Sequence, residues 1–226
     1  MKAFMITRDR VTYARQTAEA LDNAGLDTVI VDHGSTWAPM VAWLAERESG
    51  GTPVFRRGPG WHPRDLWTFG DFYRLAGRER YIATDPDTPP SRDCPSDWLD
   101  HMASVLDRFP EYPKVGMAMR IDNLPDHYQR KHQVLTWEGQ YWSCFAGNDS
   151  DVFAANVDTT LALYQPLRHT SEHTLAALRT NFPYVAEHLP WYEDFGNLTD
   201  ELKYYYEHGE RVSFWAPAGK SEHWQD

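Results

Sequence analysis

The chain has 226 residues, a length that fits one domain and is enough to bury a full hydrophobic core. Its hydrophobic fraction of 42% and charged fraction of 24% are ordinary for a soluble globular protein. The formal net charge of -11 argues against broad electrostatic binding to nucleic acid, because such binding depends on Lys and Arg side chains that neutralise phosphates. An acidic protein is, in contrast, a suitable host for a divalent cation.

The cysteines and the N-terminus indicate the compartment. Cys94 and Cys144 form neither a disulfide framework nor a metal-binding motif, so a reducing cytoplasm is the simplest location. The first residues, MKAFMITRDR, lack the long apolar stretch of a signal peptide, and no run of about 18 apolar residues predicts a membrane span. We therefore expect a cytoplasmic protein without a membrane span.

Strands and helices alternate along the first half of the chain. Apolar runs predict strands at residues 2–6, 28–31, 53–56, 80–84 and 114–120. The predicted helices are residues 11–23, 36–47, 69–75 and 95–109, with Ser35 or Thr36 as the cap of the second. Repeated strand–helix units indicate parallel strands joined by right-handed crossovers.

The second half is less regular. We predict a polar helix over 127–138 and strands over 152–156 and 160–164. No internal repeat, low-complexity tract or clear linker divides the sequence. The chain is therefore expected to form one α/β domain.

Two aspartates follow the fourth predicted strand, in the segment Asp85-Pro86-Asp87. In open α/β sheets, ligands collect at the carboxyl ends of the strands. Two carboxylates at that place suit Mg²⁺ or Mn²⁺ holding a diphosphate, because the metal offsets the charge that builds on a leaving diphosphate. The alternative is an ordinary turn in which the aspartates accept backbone hydrogen bonds.

Polar residues also follow the first two predicted strands. Asp32-His33-Gly34-Ser35 ends the second strand, where an acidic side chain can accept hydrogen bonds from a base or ribose. Capping of the next helix by Asp32 or Ser35 is the alternative. Thr7-Arg8-Asp9 ends the first strand and supplies a third polar loop beside these two.

These segments, taken in order, resemble the small GT-A glycosyltransferases, which have the nucleotide-diphospho-sugar transferase fold. Residues 29–36 (VIVDHGST) resemble the family's I-V-D-N-G-S-T element, with His33 in place of Asn, and residues 81–87 (YIATDPD) resemble its Y-x-x-T-D-P-D element. Further similar blocks recur in a bacterial and phage group of such proteins. They are CPSD at 94–97, KVG at 114–116, IDNLPD at 121–126, WE at 137–138, VDTTLALY at 157–164 and HLPWY at 188–192.

The resemblance implies a single GT-A domain over residues 1–226, built on a Rossmann-like mixed sheet flanked by helices. Residues 1–120 would bind the nucleotide sugar and residues 121–226 would form the acceptor side. The implied nucleoside contacts are Thr7 and Asp32. The implied ligands of the metal and diphosphate are Asp85 and Asp87, with His188 completing the metal shell, and the metal is Mn²⁺ or Mg²⁺.

The basic loop after the third strand departs from the family. The chain has Arg57-Gly58-Pro59-Gly60 where the family usually has N-x-G-P. Arg57 and Arg64 are candidates for contacts to phosphate, and a solvated basic loop is the alternative.

Asp158 is the leading candidate for a catalytic carboxylate, and Glu138 is its competitor. An inverting enzyme needs a base within hydrogen-bond reach of the acceptor hydroxyl, whereas a carboxylate in a retaining enzyme steadies the charged sugar. A turn-forming role is the alternative for Asp158. The side chains of five further residues can form a platform for a sugar ring or a base, or can simply pack the C-terminal half. These are Trp137, Tyr141, Trp142, Trp191 and Tyr192.

We therefore expect a glycosyltransferase that moves a sugar from a nucleotide sugar, UDP-linked in the first instance, to an acceptor hydroxyl. The acceptor is either a glycan or a hydroxymethylated pyrimidine in phage-type DNA, and DNA would need a basic cleft such as the loop from Arg56 to Arg64. A nucleotidyltransferase is one alternative, although residues 7–10 lack the glycines usual in its first loop. A non-catalytic nucleotide- or carbohydrate-binding module is the other.

Overall fold

The structure is a computed structural model that describes residues 1–58, 66, 70–157, 160–167, 177–209 and 215. The strands are β1 (Lys2–Thr7), β2 (Asp27–Asp32), β3 (Val54–Arg56), β4 (Tyr81–Thr84), β5 (Lys114–Gly116), β6 (Ala118–Met119), β7 (Phe145–Ala146), β8 (Asp149–Ala154), β9 (Ala162–Tyr164), β10 (Leu178–Thr180) and β11 (Val185–Ala186). The helices are α1 (Val11–Asn23), α2 (Ala38–Ser49), α3 (Asp71–Ala76), α4 (Trp98–Arg108), α5 (Lys131–Gly139) and α6 (Asp200–His208), with 3-10 turns at Gln140–Trp142 and Leu189–Tyr192. None of the described helices is long and apolar enough to cross a membrane.

Nine of these strands form one mixed sheet in the order β3-β2-β1-β4-β9-β5-β10-β8-β7. β1 is parallel to β2 and β4, and β2 is parallel to β3. β9 runs antiparallel to both β4 and β5, and β10 is parallel to β5. The carboxyl ends of β1 to β5 and of β10 therefore lie along one side of the sheet, which we call the carboxyl edge. A second, two-stranded sheet pairs β6 with β11.

The large sheet is covered on both faces. β1 and β2 are buried along almost their whole length, as expected of parallel strands between two layers of helices. On one face Met5 belongs to a buried cluster with Leu21 of α1 and Met102 of α4. On the other face Phe4 packs against Phe72 of α3, with ring centroids 4.6 Å apart. Burial on both faces holds the strand ends, and so the loops of the carboxyl edge, in fixed positions.

The predicted fold class, an α/β Rossmann-like mixed sheet flanked by helices, is confirmed. Helix α1 has the predicted bounds. The predicted strand over 114–120 is wrong in one respect, because the chain leaves the large sheet after Gly116. β5 pairs with β9 and β10, whereas β6 pairs with β11 in the second sheet.

Gly116 at the end of β5 allows a close approach between two segments of the chain. A Cβ added at this position would stand 2.5 Å from Cγ1 of Val157, which is closer than two carbon atoms can approach without displacement. Lys114, also on β5, is buried and its Nζ donates to the carbonyl oxygen of Val157. β5 therefore fixes the position of Val157.

Replacing Gly116 by Ala is expected to lower the free energy of unfolding by about 1–3 kcal/mol, the usual cost of overpacking a dense core. Adding Val157→Ala should make the double variant less destabilised than the sum of the two single variants, since the two side chains compete for one space. Denaturant unfolding measures this. Gly139→Ala is the control, because no atom of the described residues lies within 4 Å of a Cβ there and its φ of -55° suits any residue. Equal effects at Gly116 and Gly139 would contradict the expectation.

Candidate functional site

The loops after β1 and β2 are joined to each other at the carboxyl edge. Thr7 and Asp32 are register partners at the ends of the two strands. His33 N donates to the carbonyl oxygen of Thr7 at 3.0 Å, and Asp9 N donates to Oγ of Ser35 at 3.0 Å. The two predicted nucleoside contacts, Thr7 and Asp32, therefore lie side by side in one bonded unit.

Asp9 holds the segment that leads into the second helix, whose N-cap residue is Trp37. Its Oδ1 accepts from the backbone N–H groups of Thr36 and Trp37, both at 2.7 Å, immediately before α2 begins at Ala38. The predicted cap by Ser35 or Thr36 is wrong, because the N-cap residue is Trp37 and its side chain makes no capping hydrogen bond. Asp9 has a φ of 50°, a backbone conformation that Asp adopts more readily than most residues.

Asp32 is buried and faces its own loop. Its carboxylate accepts from Ser35 N at 3.1 Å and from Ser35 Oγ at 2.5 Å. Burial raises the pKa of Asp32, and the bonds from Ser35 oppose that rise. The neighbouring Thr7 hydroxyl is also buried and has no hydrogen-bond partner among the described residues. A buried hydroxyl of this kind can hydrogen-bond a ligand that reaches the end of β1.

The residues at 185–189, which we call the strap, pair with the loop that follows β4. Leu189 N donates to the carbonyl oxygen of Asp87 at 2.9 Å, and Glu187 N donates to the carbonyl oxygen of Pro89 at 3.0 Å. This pairing places Nε2 of His188 4.0 Å from Oδ2 of Asp87. Two of the three predicted metal ligands are therefore brought together from segments about one hundred residues apart.

Asp85, the third predicted metal ligand, is half-buried at the start of the same loop. In the part of the chain that the structure describes, no group of three His, Cys, Asp or Glu side chains is arranged to hold a metal ion. Mg²⁺ is commonly bound through one or two carboxylates and completed by substrate phosphates rather than enclosed by protein ligands. A pair made of Asp87 and His188 suits that mode of binding, with Asp85 close in sequence.

A buried cluster of charged and phenolic side chains fixes the Asp87 carboxylate through hydrogen bonds. Arg10 NH1 donates to Oδ2 of Asp87 at 2.5 Å, and Arg10 NH2 donates to Oε1 of Glu193 at 3.2 Å. Glu193 also accepts from the hydroxyls of Tyr13 at 2.7 Å and Tyr206 at 2.5 Å. We call these five residues the Arg10 cluster. It ties the start of α1, the loop after β4, the segment after the strap and helix α6 to one another.

The charges in this region favour a cation. Burial raises the pKa of both Tyr13 and Tyr206, and the Glu193 carboxylate adds to the rise, so both hydroxyls stay protonated and donate. The carboxylates of Asp87 and Glu193 share the one guanidinium of Arg10, so negative charge is in excess within the Arg10 cluster. The donor set of two carboxylates and an imidazole fits Mn²⁺ or Mg²⁺, and Arg10 would orient Asp87 as an outer partner of the metal ligand.

Two other candidate site residues, Arg57 and Glu138, are engaged in ion pairs. Arg57 NH2 donates to Oδ2 of Asp71 at 2.7 Å, so the guanidinium already has a carboxylate partner. Glu138 is buried and its Oε2 accepts from Arg179 NH1 at 2.7 Å. Arg64 and Asp158, the remaining candidates for a phosphate contact and for the catalytic carboxylate, lie outside the described residues.

Arg10 and Glu193 were not foreseen from the sequence. Arg10 follows a predicted strand-end loop, and this position is the only sequence signal that places it near the site. Its partner Glu193 is 183 residues away and carries no local signature. Helix α6 was also missed, although Tyr204 of this helix donates to Oγ1 of Thr36 and its ring packs 4.7 Å from that of Trp37. The C-terminal helix therefore covers part of the carboxyl edge beside β2.

No protein-family model matches the sequence, and no curated protein is significantly similar to it. Solved structures share its fold. The mannosyltransferase PcManGT from Pyrobaculum calidifontis, in complex with GDP-Man and Mn2+, has a TM-score of 0.50 at 14% identity, over 83% of this chain and 56% of that one. A UDP-glucose pyrophosphorylase from Acinetobacter baumannii has a TM-score of 0.50 at 12% identity, over 92% of this chain and 94% of that one.

The fold is therefore the one that nucleotide-sugar glycosyltransferases share with nucleotide-sugar pyrophosphorylases. The chain spans little more than half the length of the mannosyltransferase. At these identities the likeness establishes the fold alone. Its activity has to be argued from the residues of the carboxyl edge.

Proposed function

We propose that the protein is a metal-dependent glycosyltransferase that uses a nucleotide sugar, UDP-linked in the first instance, as its donor. The observation that carries the proposal is the meeting of Asp87 and His188, 4.0 Å apart, at the carboxyl edge of a sheet with this fold. Thr7 and Asp32 stand at the ends of β1 and β2 on the same edge. Ligands of open α/β sheets bind at such an edge.

The proposal assigns a role to each candidate site residue of the carboxyl edge. Thr7, through its buried hydroxyl, and Asp32 contact the nucleoside. Asp87 and His188 bind the metal together with the diphosphate of the donor, and Asp85 contributes from the start of the loop. The divalent cation supplies positive charge that offsets the charge of the departing diphosphate. The Arg10 cluster keeps the Asp87 carboxylate in place. Hydrogen-bond partners of a metal ligand usually orient that ligand in this way.

Asp158 is our proposed catalytic carboxylate. In an inverting reaction it accepts the proton of the acceptor hydroxyl as that oxygen attacks the anomeric carbon, and in a retaining reaction it steadies the charged sugar. It follows directly after Val157, which Gly116 and Lys114 hold in place. Glu138 is the weaker candidate because its carboxylate is bonded to Arg179. Arg57 and Arg64 remain proposed contacts of the donor's phosphates. Arg57 would exchange its hydrogen bond to Asp71 for one to a phosphate oxygen.

A nucleotidyltransferase is the second candidate, since the likeness to the pyrophosphorylase extends over nearly the whole of both chains. Such an enzyme joins a nucleoside triphosphate to a sugar phosphate and releases pyrophosphate. The loop at residues 7–10, TRDR, has no glycine whose bare backbone would cradle a triphosphate. We therefore favour the glycosyltransferase over the nucleotidyltransferase.

A thermal-shift series with nucleoside diphosphates tests the proposal. We expect UDP to raise the melting temperature in the presence of Mn²⁺ and to have little effect without it. A ligand at about 100 times its Kd stabilises the folded state by about 2.7 kcal/mol, which is readily measured. Indifference to every nucleoside diphosphate, with and without metal, would contradict the proposal.

Product analysis separates the two candidates. A glycosyltransferase slowly releases UDP and free sugar from UDP-sugars when water replaces the acceptor. A nucleotidyltransferase instead releases pyrophosphate from UTP and a sugar 1-phosphate. Pyrophosphate release without hydrolysis of any UDP-sugar would favour the second candidate.

A further inference from the structure

A group of aromatic side chains forms an exposed surface at the far end of the large sheet. Trp137 is 54% exposed, and Phe145 and Phe182 are each 47% exposed, which is unusual for large apolar residues. We call the group made of Trp137, Tyr141, Trp142, Phe145 and Phe182 the aromatic platform.

The rings of the platform make two sets of contacts, one around Trp142 and one between Trp137 and Tyr141. Trp142 stacks on Phe182, with ring centroids 5.2 Å apart and planes inclined by 30°. Trp142 also contacts the buried Phe153, on which Phe145 stacks at 4.9 Å. Trp137 meets Tyr141 edge to face at 6.3 Å. Within each set the rings support one another, and Phe153 anchors the first set to the buried face of β8.

Phe182 of the platform lies on the same edge of the sheet as the candidate donor site. Phe182 follows β10, and β10 is parallel to β5 and thus to β4, whose carboxyl end leads to Asp87. The chain runs on from Phe182 directly into the strap that carries His188. Four strand spacings separate β4 from β8, which is about 19 Å at about 4.8 Å per strand.

The polar groups around the platform match hydroxyl groups rather than phosphates. Asp151 is exposed, and Asp149 beside it pairs with Arg108 at 3.0 Å. Arg179 lies under Tyr141 and is buried in an ion pair with Glu138. Carboxylates accept hydrogen bonds from sugar hydroxyls but repel a phosphate backbone. Flat aromatic faces beside such acceptors suit the apolar faces of pyranose rings.

We propose that the aromatic platform binds the inner sugars of a neutral glycan acceptor, whose terminal hydroxyl then reaches the donor site. The role as acceptor site rests on the proposed glycosyltransferase function, whereas the binding of a glycan does not. A single pyranose ring is far shorter than the separation of about 19 Å between β4 and β8, so the acceptor is an oligosaccharide. The alternative acceptor, hydroxymethylated DNA, would require exposed cations, whereas the strand that carries Phe153 presents the exposed Asp151.

Calorimetric titration of the full chain, without any nucleotide sugar, tests the proposal. The probes are neutral tetrasaccharides of glucose, N-acetylglucosamine and mannose, and a DNA duplex that contains hydroxymethylcytosine. At least one tetrasaccharide should bind, and Phe182→Ala should weaken that binding about tenfold, the loss expected for one stacking ring. Trp142→Ala should weaken it further.

Tyr112→Ala is the matched control, because Tyr112 precedes β5 and so lies at the opposite edge of the sheet. It should leave tetrasaccharide binding unchanged, and none of the three variants should alter the response of the melting temperature to UDP and Mn²⁺. No binding of any tetrasaccharide at millimolar concentration, equal binding by Phe182→Ala and the parent, or selective binding of the duplex would each overturn the proposal.

Hydrolysis of UDP-sugars needs no acceptor and reports the proposed function separately. Hydrolysis of a UDP-sugar without tetrasaccharide binding would overturn the proposed role of the aromatic platform but would support the proposed glycosyltransferase function. Tetrasaccharide binding that depends on Phe182, without hydrolysis of any donor, would support the platform as a glycan-binding surface and overturn the transferase.

Discussion

Replacing Asp87 by Asn is expected to abolish most of the metal-dependent binding and turnover of the donor. The change removes a carboxylate charge while it keeps an oxygen that can accept from Arg10. Loss of a group that merely supports a metal ligand already costs about 10–100-fold in affinity or activity, so loss of the ligand's charge should cost at least about 100-fold. The measurements are the shift in melting temperature with UDP and Mn²⁺ and the rate of UDP-sugar hydrolysis.

Loss of stability must be separated from loss of the site. Asp87 is the partner of a buried guanidinium, and breaking a buried pair costs about 3–5 kcal/mol, so Asp87→Ala would confuse the two effects. His188→Ala avoids the problem, because it leaves the bond between Arg10 and Asp87 intact and should still lose the response to Mn²⁺. Asp107→Asn is the control, since it removes a carboxylate from an exposed pair with Arg80. An unchanged response of Asp87→Asn to UDP and Mn²⁺ would contradict its role as a metal ligand.

The arrangement of the carboxyl edge followed from the sequence because it depends on local patterns. Apolar runs fixed β1, β2 and β4, and parallel strands place their ends together, so the neighbourhood of Thr7, Asp32 and Asp87 needed no long-range information. In the second half, β8 and β9 overlap the strands predicted over 152–156 and 160–164, whereas β7, β10 and β11 escaped detection. β10 and β11 have three and two residues, too few to show a period.

Side-chain partners could not be predicted in the same way. Arg57 and Glu138 have the right chemistry for a phosphate contact and for a catalytic base, but the structure pairs them with Asp71 and Arg179. The type of a charged residue indicates what it can do, whereas its partner depends on packing between segments far apart in the chain. The pairing of Arg10 with Glu193 is another case, because it exists only once α1 and the C-terminal segment have come together.

Replacing Glu193 by Ala is expected to destabilise the protein more than any other single change to an ion pair in the described residues. Burial raises the pKa of Glu193, and Arg10 and the two tyrosine hydroxyls oppose that rise. Without the carboxylate, the buried NH2 of Arg10 and the hydroxyls of Tyr13 and Tyr206 lose their acceptor. The free energy of unfolding should fall by about 3–5 kcal/mol, a large part of the 5–15 kcal/mol typical of a domain.

Glu193→Gln separates the charge from the hydrogen bonds. The amide oxygen can still accept from Arg10 and Tyr13, and the hydroxyl of Tyr206 can turn to accept from the amide nitrogen. We therefore expect a smaller loss of about 1.5–3 kcal/mol, the usual contribution of a hydrogen bond to a charged group. Glu48→Ala is the control, because the pair of Glu48 with Arg56 is exposed and should contribute at most about 1 kcal/mol. Denaturant unfolding of the three variants decides: equal losses for Glu193→Ala and Glu48→Ala would show that the Arg10 cluster does not hold the C-terminal segment to the site.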